Sequence, residues 1–214
     1  MSKLRILIIG DSFAADWSAK YTDYPGWPNL LAKKYSVTNL AQAGVSEYKI
    51  YKQLVGVNNL NDYDLVIVSH TSPLRVHTRK HPVHYKDVLH ANADLMLVDI
   101  EYHYHKLKNF FNSALRSAYK FFLHHYDVEY FEITYKLLRT RINDILKGKK
   151  VIVISSLPYL EEFITEDIVL NFQFNKGLIN HATKELNEQI FLTIDKTIDQ
   201  LSNEDKIMEE PKCQ

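Results

Sequence analysis

Apolar positions along this chain gather into short unbroken runs, separated by polar turns and by longer stretches with helical spacing. Leu4-Arg5-Ile6-Leu7-Ile8-Ile9 is the first run, and Gly10 stops it abruptly. Leu65–Val68 and Val151–Ile154 have the same character: short, branched and apolar at successive positions. Runs of this kind read as strands buried on both faces. Ser36–Leu40 reads as a further strand, and Ile168–Leu170 as a short fifth. Between them the pattern turns helical. Pro28 is placed at a helix start, followed by Asn29–Lys34. Ser46 is in position to cap a helix over Tyr48–Leu54. From His181 to Leu201, the residues Leu186, Ile190, Ile194, Ile198 and Leu201 fall on one helical face.

Strands alternating with helices predict a parallel sheet covered on both sides, an α/β/α sandwich. The segment from about Glu101 to Lys147 breaks the rhythm: it has no strand-like run and no proline, and it reads as one long helix or two inserted between the third and fourth strands. The expected organisation is one domain over residues 1–202, with that insertion at about 101–147 and a charged, mobile tail over 203–214.

Composition narrows the function classes. Lys+Arg and Asp+Glu both total 26, so the formal charge is zero and no electrostatic argument points to nucleic acid. No segment approaches the ~20 apolar residues of a membrane span. A single cysteine, Cys213, permits no internal disulfide, which fits a reducing compartment. The expectation is a cytoplasmic protein.

The candidate chemistry sits at the strand ends. Ser12 follows directly on the first run, within Gly10-Asp11-Ser12-Phe13. In open α/β sheets the ligand crevice lies at the carboxyl ends of the strands. A serine on a tight turn there presents its hydroxyl and its own N–H to one substrate atom, as nucleophilic acyl transfer requires. Taken alone, Gly-Asp-Ser is equally an ordinary turn.

Three further blocks fall at strand ends in order. They are Asn39-Leu40-Ala41-Gln42-Ala43-Gly44-Val45-Ser46, Ser69-His70-Thr71-Ser72-Pro73-Leu74-Arg75, and Asn180-His181 at the start of the last helix. Together with the first block they resemble the SGNH, or GDSL, hydrolase family over about three quarters of the chain. The resemblance implies the flavodoxin-like α/β/α fold of that family and an ester-hydrolysing or acyl-transferring site. It implies Ser12 as nucleophile, His181 as general base, and the N–H groups of Ser12 and Gly44 as oxyanion donors.

Two positions depart from the family pattern. The family has Gly-x-Asn-Asp after its third strand, with the asparagine as an oxyanion donor; this chain has no asparagine there. Thr71 or Ser72 is the expected substitute donor, Arg75 the expected partner for negative charge, and Asp11 is grouped with these substrate-binding residues. The family also places an aspartate three residues before the histidine, where this chain has Leu178. Three arrangements stay open: a Ser-His dyad oriented by a backbone carbonyl, a carboxylate from elsewhere in the fold, or a weak or inactive enzyme.

The histidines invite a metal reading, since His77/His81 and His81/His84 have helical ligand spacing. Pro82 argues against one regular helix there, and no cysteine or dense carboxylate set completes a site. No metal and no cofactor are expected. The aromatic stripe Tyr102, Phe110, Phe111, Tyr119, Phe121, Phe122, Tyr126, Tyr130, Phe131 and Tyr135 exceeds what one packing face needs, so lining of a cleft or self-association through the insertion is a further expectation. The sequence reading is thus a serine esterase or acyltransferase for a small acyl ester, with O-acetylated carbohydrate as the favoured class by family analogy. Its rival is a non-catalytic binding or assembly protein on the same fold.

Overall fold

The computed structural model describes residues 3–17, 24–155, 168–172 and 182–209. Its centre is a five-stranded sheet of β1 (Arg5–Gly10), β2 (Ser36–Asn39), β3 (Leu65–Ser69), β4 (Val151–Ser155) and β5 (Val169–Asn171). Every pairing is parallel, and the strand order is β2-β1-β3-β4-β5. This is the doubly wound, flavodoxin-like order, with its switch point between β1 and β3.

The alternation of side chains along the strands divides the core in two. Ile6, Ile8, Leu65, Ile67, Ile152 and Ile154 face α1 (Trp27–Lys34) and α6 (Lys184–Glu209), meeting Trp27, Leu31, Ile190, Ile194 and Ile198. Leu7, Ile9, Val66, Val68 and Val153 face α2 (Glu47–Val55) and the end of α5 (Val128–Leu146), meeting Ile50, Leu54, Ile142 and Leu146. The expected three-layer sandwich is present, and the strand bounds agree with the apolar runs to within a residue. Full burial of a side chain such as Ile142 stabilises the fold by about 1.5–3 kcal/mol.

The insertion differs from its expected form. Three helices occupy this stretch: α3 (Leu97–Tyr104), α4 (Ser113–His124) and α5. The second half of α5 is itself the crossover helix under the sheet, so Ile142 and Leu146 belong to the main core. The true excursion runs from the end of β3 to the start of α5. It has a small core of its own in Val76, Ile100, Leu115 and Phe122, with Phe131 of α5 packed against it. Its outer edge leaves Leu107 at 91% and Phe111 at 87% exposure. At the other end, α6 continues to Glu209, into the segment expected to be a tail. Among the described residues no helix is long and apolar enough to cross a membrane.

Candidate active site

Gly10 ends β1 in register with Ser69 of β3. A Cβ on Gly10 would lie 2.7 Å from both Ser69 Cβ and Ser69 O, so the two strand ends approach this closely only because residue 10 is glycine. The Gln53 side chain on α2 holds Gly10 through both its N–H and its carbonyl. Gly10 N–H donates to Gln53 Oε1 at 2.8 Å, and Gln53 Nε2 donates to Gly10 O at 3.0 Å. The turn that follows is therefore fixed before it reaches Ser12.

Ser12 is 5% exposed and sits at the switch point between β1 and β3. Its carbonyl accepts a hydrogen bond from Trp17 Nε1 at 2.6 Å. Among the described residues, neither the hydroxyl nor the N–H of Ser12 has a hydrogen-bond partner. The flanking groups are committed: Phe13 N–H donates to Asp11 Oδ1 at 3.0 Å, and Ala14 N–H to Asp11 O at 3.2 Å. The turn thus leaves the two groups of Ser12 that acyl transfer would use available to a ligand.

Asp11 points inward, away from solvent. Burial pushes its carboxyl up to about 6, against the pull of Arg75 and of hydrogen bonds from Phe13 N–H, Thr71 and Ser69. Arg75 ties the other loops to it. Arg75 Nε donates to Thr71 Oγ1 at 3.0 Å, and Nη1 donates to Gly44 O at 3.1 Å. The Thr71 hydroxyl accepts from Arg75 and lies beside the Asp11 carboxylate. In this fully buried position the Thr71 side chain braces the loop. Ser72 Oγ accepts from Leu74 N–H at 3.2 Å and keeps its own proton for a further partner.

Gly44 has φ +75, and a Cβ there would meet Ala93 Cβ at 2.9 Å. Both the turn and the close approach require glycine. Its carbonyl accepts from Arg75 and from Asp94 N–H, while its own N–H donates to no acceptor among the described residues. The neighbouring Ala43 packs with Ala15 and Trp17, beside the Ser12 turn. Ser46 holds the N-cap position of α2 as expected, but its side chain makes no cap bond. The buried carboxylate of Asp94 takes Ser46 N–H instead, at 2.7 Å, and also binds Thr78 N–H and Lys49 Nζ.

His181, with Asn180 and Leu178, lies outside the described residues. Ala182, next in sequence, lines a cavity of about 20 Å³ together with Ser12, Trp17, Tyr24, Trp27 and Asn187. That volume holds about one water-sized group. Asn187 of α6 anchors this end of the chain: Oδ1 accepts from Trp27 N–H at 2.8 Å, and Nδ2 donates to Ala182 O at 3.2 Å.

The sequence reading missed two constellations. Beneath the site, His70 Nδ1 meets Glu47 Oε1 at 2.6 Å, both side chains 3% exposed, and Thr71 N–H reaches Glu47 Oε2 at 3.4 Å. Tyr135 of α5 is buried nearby. Burial, then Glu47, pushes its phenol far above its ordinary value, against the pull of Arg139. Glu47 opens a helix and His70 follows a strand, so nothing in their spacing signals the pair. The second constellation gathers His81, His84 and His103 on Asp99. Pro82 does prevent a helix there, as read, but the set is completed from α3, where Asp99 and His103 have i,i+4 spacing. That spacing was a usable signal.

No family model matches this chain, and no curated protein matches it either. Among solved structures, a psychrotrophic esterase, EstA from Pseudoalteromonas sp., in a form inhibited by monoethylphosphonate, is similar at 13% identity and a TM-score of 0.48. The match covers 93% of this chain and 98% of that one.

Proposed function

We propose that this protein is a serine-dependent ester hydrolase or acyltransferase, with a small acyl group carried on Ser12. One observation carries the reading. At the switch point of a doubly wound sheet, a rigidly held turn leaves both the hydroxyl and the N–H of Ser12 without a partner among the described residues. The Gly44 N–H, on a loop that Arg75 fastens to the same network, is left in the same condition.

In this mechanism Ser12 Oγ attacks the ester carbonyl and His181 takes its proton. The N–H groups of Ser12 and Gly44 receive the oxyanion. Two such donors, fixed before the reaction, are worth several kcal/mol of barrier. The proton returns from His181 to the departing alcohol, leaving an acyl-enzyme. Water, or the hydroxyl of an acceptor, then attacks the acyl carbon by the same route in reverse. The narrow cavity beside Ser12 supports a short acyl group such as acetyl. The carbohydrate character of the alcohol rests on family analogy.

Turnover of p-nitrophenyl acetate by purified Ser12→Ala tests the reading. The expected outcome is loss of activity with an unchanged circular dichroism spectrum, since nothing else can form the covalent bond. Unchanged turnover would leave the rival reading, a binding protein on the same fold. What favours that rival is Leu178 at the position where the family carries its orienting aspartate.

A further inference from the structure

The cluster around Asp99 lies outside the Ser12 site and is unused by its mechanism. Asp99 stands in the first turn of α3, and His103 one turn further on. His81 and His84 come from the irregular stretch after β3. His84 Nε2 is 3.1 Å from Asp99 Oδ2 and 3.2 Å from Oδ1. His103 Nε2 is 3.5 Å from Asp99 Oδ1, and His81 Nε2 is 3.1 Å from Oδ2. The rings of His84 and His103 stand 5.1 Å apart at 82°. Three imidazoles therefore turn a nitrogen toward one carboxylate.

The four side chains are not equivalent. His81 is fully buried, and its Nδ1 accepts from two backbone N–H groups, Val83 and His84, each at 3.2 Å. A neutral imidazole that accepts at Nδ1 carries its proton on Nε2. His81 thus turns an N–H toward Asp99 Oδ2, off the axis of a well-formed hydrogen bond. It can steady the carboxylate but has no lone pair to offer there. His84 and His103 have no such constraint at Nε2.

We propose that Asp99, His84 and His103 form a binding site for a first-row divalent transition cation such as Zn²⁺ or Co²⁺, with His81 as the positioning residue that orients Asp99. Spacing is the first support. Ligand atoms about 2.0–2.2 Å from a tetrahedral ion lie roughly 3.3–3.6 Å apart. The 3.1 Å and 3.5 Å separations from Asp99 to His84 and to His103 are close to two such edges, and a rotation of His103 toward His84, whose ring centroid is 5.1 Å away, completes the third. Chemistry is the second support. Two imidazoles with one carboxylate select zinc-like ions over magnesium or calcium, which take oxygen. His84 and Asp99 are partly exposed, at 24% and 33%, so an ion has a path in and water can complete its shell. The nearby cation, Lys106, lies over the Tyr102 ring at 3.5 Å. A bound ion would fasten the loop at His84 to α3. The Ser12 turn is adjacent: His84 stacks toward His90 at 5.5 Å, and His90 meets Trp17 at 5.9 Å.

The test is titration of tag-free, chelator-treated full-length protein with Co²⁺, followed by visible absorbance and calorimetry, then displacement by Zn²⁺. One equivalent of Co²⁺ is expected, with the ligand-field absorbance of a tetrahedral or five-coordinate ion. His84→Ala and Asp99→Asn should each lower affinity at least 30-fold. His81→Asn should lower it about tenfold, the usual effect of losing an outer partner. If either of the first two fails to fold, His103→Gln carries the same test, with a loss of tenfold or more. Absence of stoichiometric Co²⁺ binding, or binding unchanged in these variants, overturns the proposal.

Discussion

Asp11, in the turn after β1, and Asp99, in the first turn of α3, are both carboxylates beyond the sheet, and their surroundings drive them in opposite directions. Asp11 is almost fully buried, with Arg75 and hydroxyl or amide donors as its relief, and burial wins: the carboxyl rises to about 6. Asp99 is less enclosed and faces three imidazoles, and the hydrogen bonds win. Burial alone does not set the charge of a carboxylate; the number and kind of donors around it decide. The two regions accordingly differ in what they are suited to. The Asp11–Ser12 turn and the Gly44 loop form a closed frame that leaves one hydroxyl and two N–H groups for a ligand. The Asp99 cluster is an anion faced by the ring nitrogens of three imidazoles.

The largest expected effect lies on the first region. His181→Ala should lower kcat/KM for an activated ester by about 10³–10⁴, by the scale of general-base loss at other serine sites. Steady-state kinetics on the purified variant checks this. A loss with His70→Ala while His181→Ala is silent would move the base to the floor of the site.

Stability effects come next. Glu47→Ala removes the carboxylate that meets the buried His70 Nδ1, and loss of that buried hydrogen bond costs about 1–3 kcal/mol. Urea denaturation reads it directly. Asp11 sharpens the comparison through pH. Its folded-state value of about 6 lies above the ordinary 3.8, so between those limits the native state binds more protons than the unfolded chain. Its contribution is therefore most favourable below pH 4, falls as pH rises through 4 to 6, and levels off above. The size is of order 3 kcal/mol. Asp11→Asn should remove that slope and be relatively more stable at pH 7 than at pH 4, as followed by thermal melts at both. A slope that persists in the variant would place the titration elsewhere. The smallest effect belongs to the outer edge of the excursion. Phe111→Ser should shift stability by no more than about 0.5 kcal/mol. A change in solution mass per chain, seen by light scattering, would identify that edge as the self-association surface expected from its aromatics.

The legibility of the chain follows the same division. Strands such as Leu65–Ser69 are buried on both faces, so an unbroken apolar run marks them and their ends mark the crevice. Gly10 and Gly44 were legible because close backbone approach leaves a residue-type signature. The double role of α5 was not: its first turns serve the excursion and its last turns the sheet, and one periodicity covers both. Nor were Glu47–His70 and the Asp99 cluster, whose members come from separate elements and meet only through the fold. Thr71 illustrates a further limit. Its position after β3 was readable, but the direction of its hydroxyl depends on Arg75 and Asp11 together.

The central claim is that Ser12 is a nucleophile, and covalent labelling tests it most directly. Incubation with a fluorophosphonate, followed by intact-mass and peptide mass spectrometry, should give one adduct per chain, located on the peptide that contains Ser12 and absent from Ser12→Ala. An unmodified protein under conditions that label a control serine esterase, or an adduct on another residue that persists in Ser12→Ala, would contradict it.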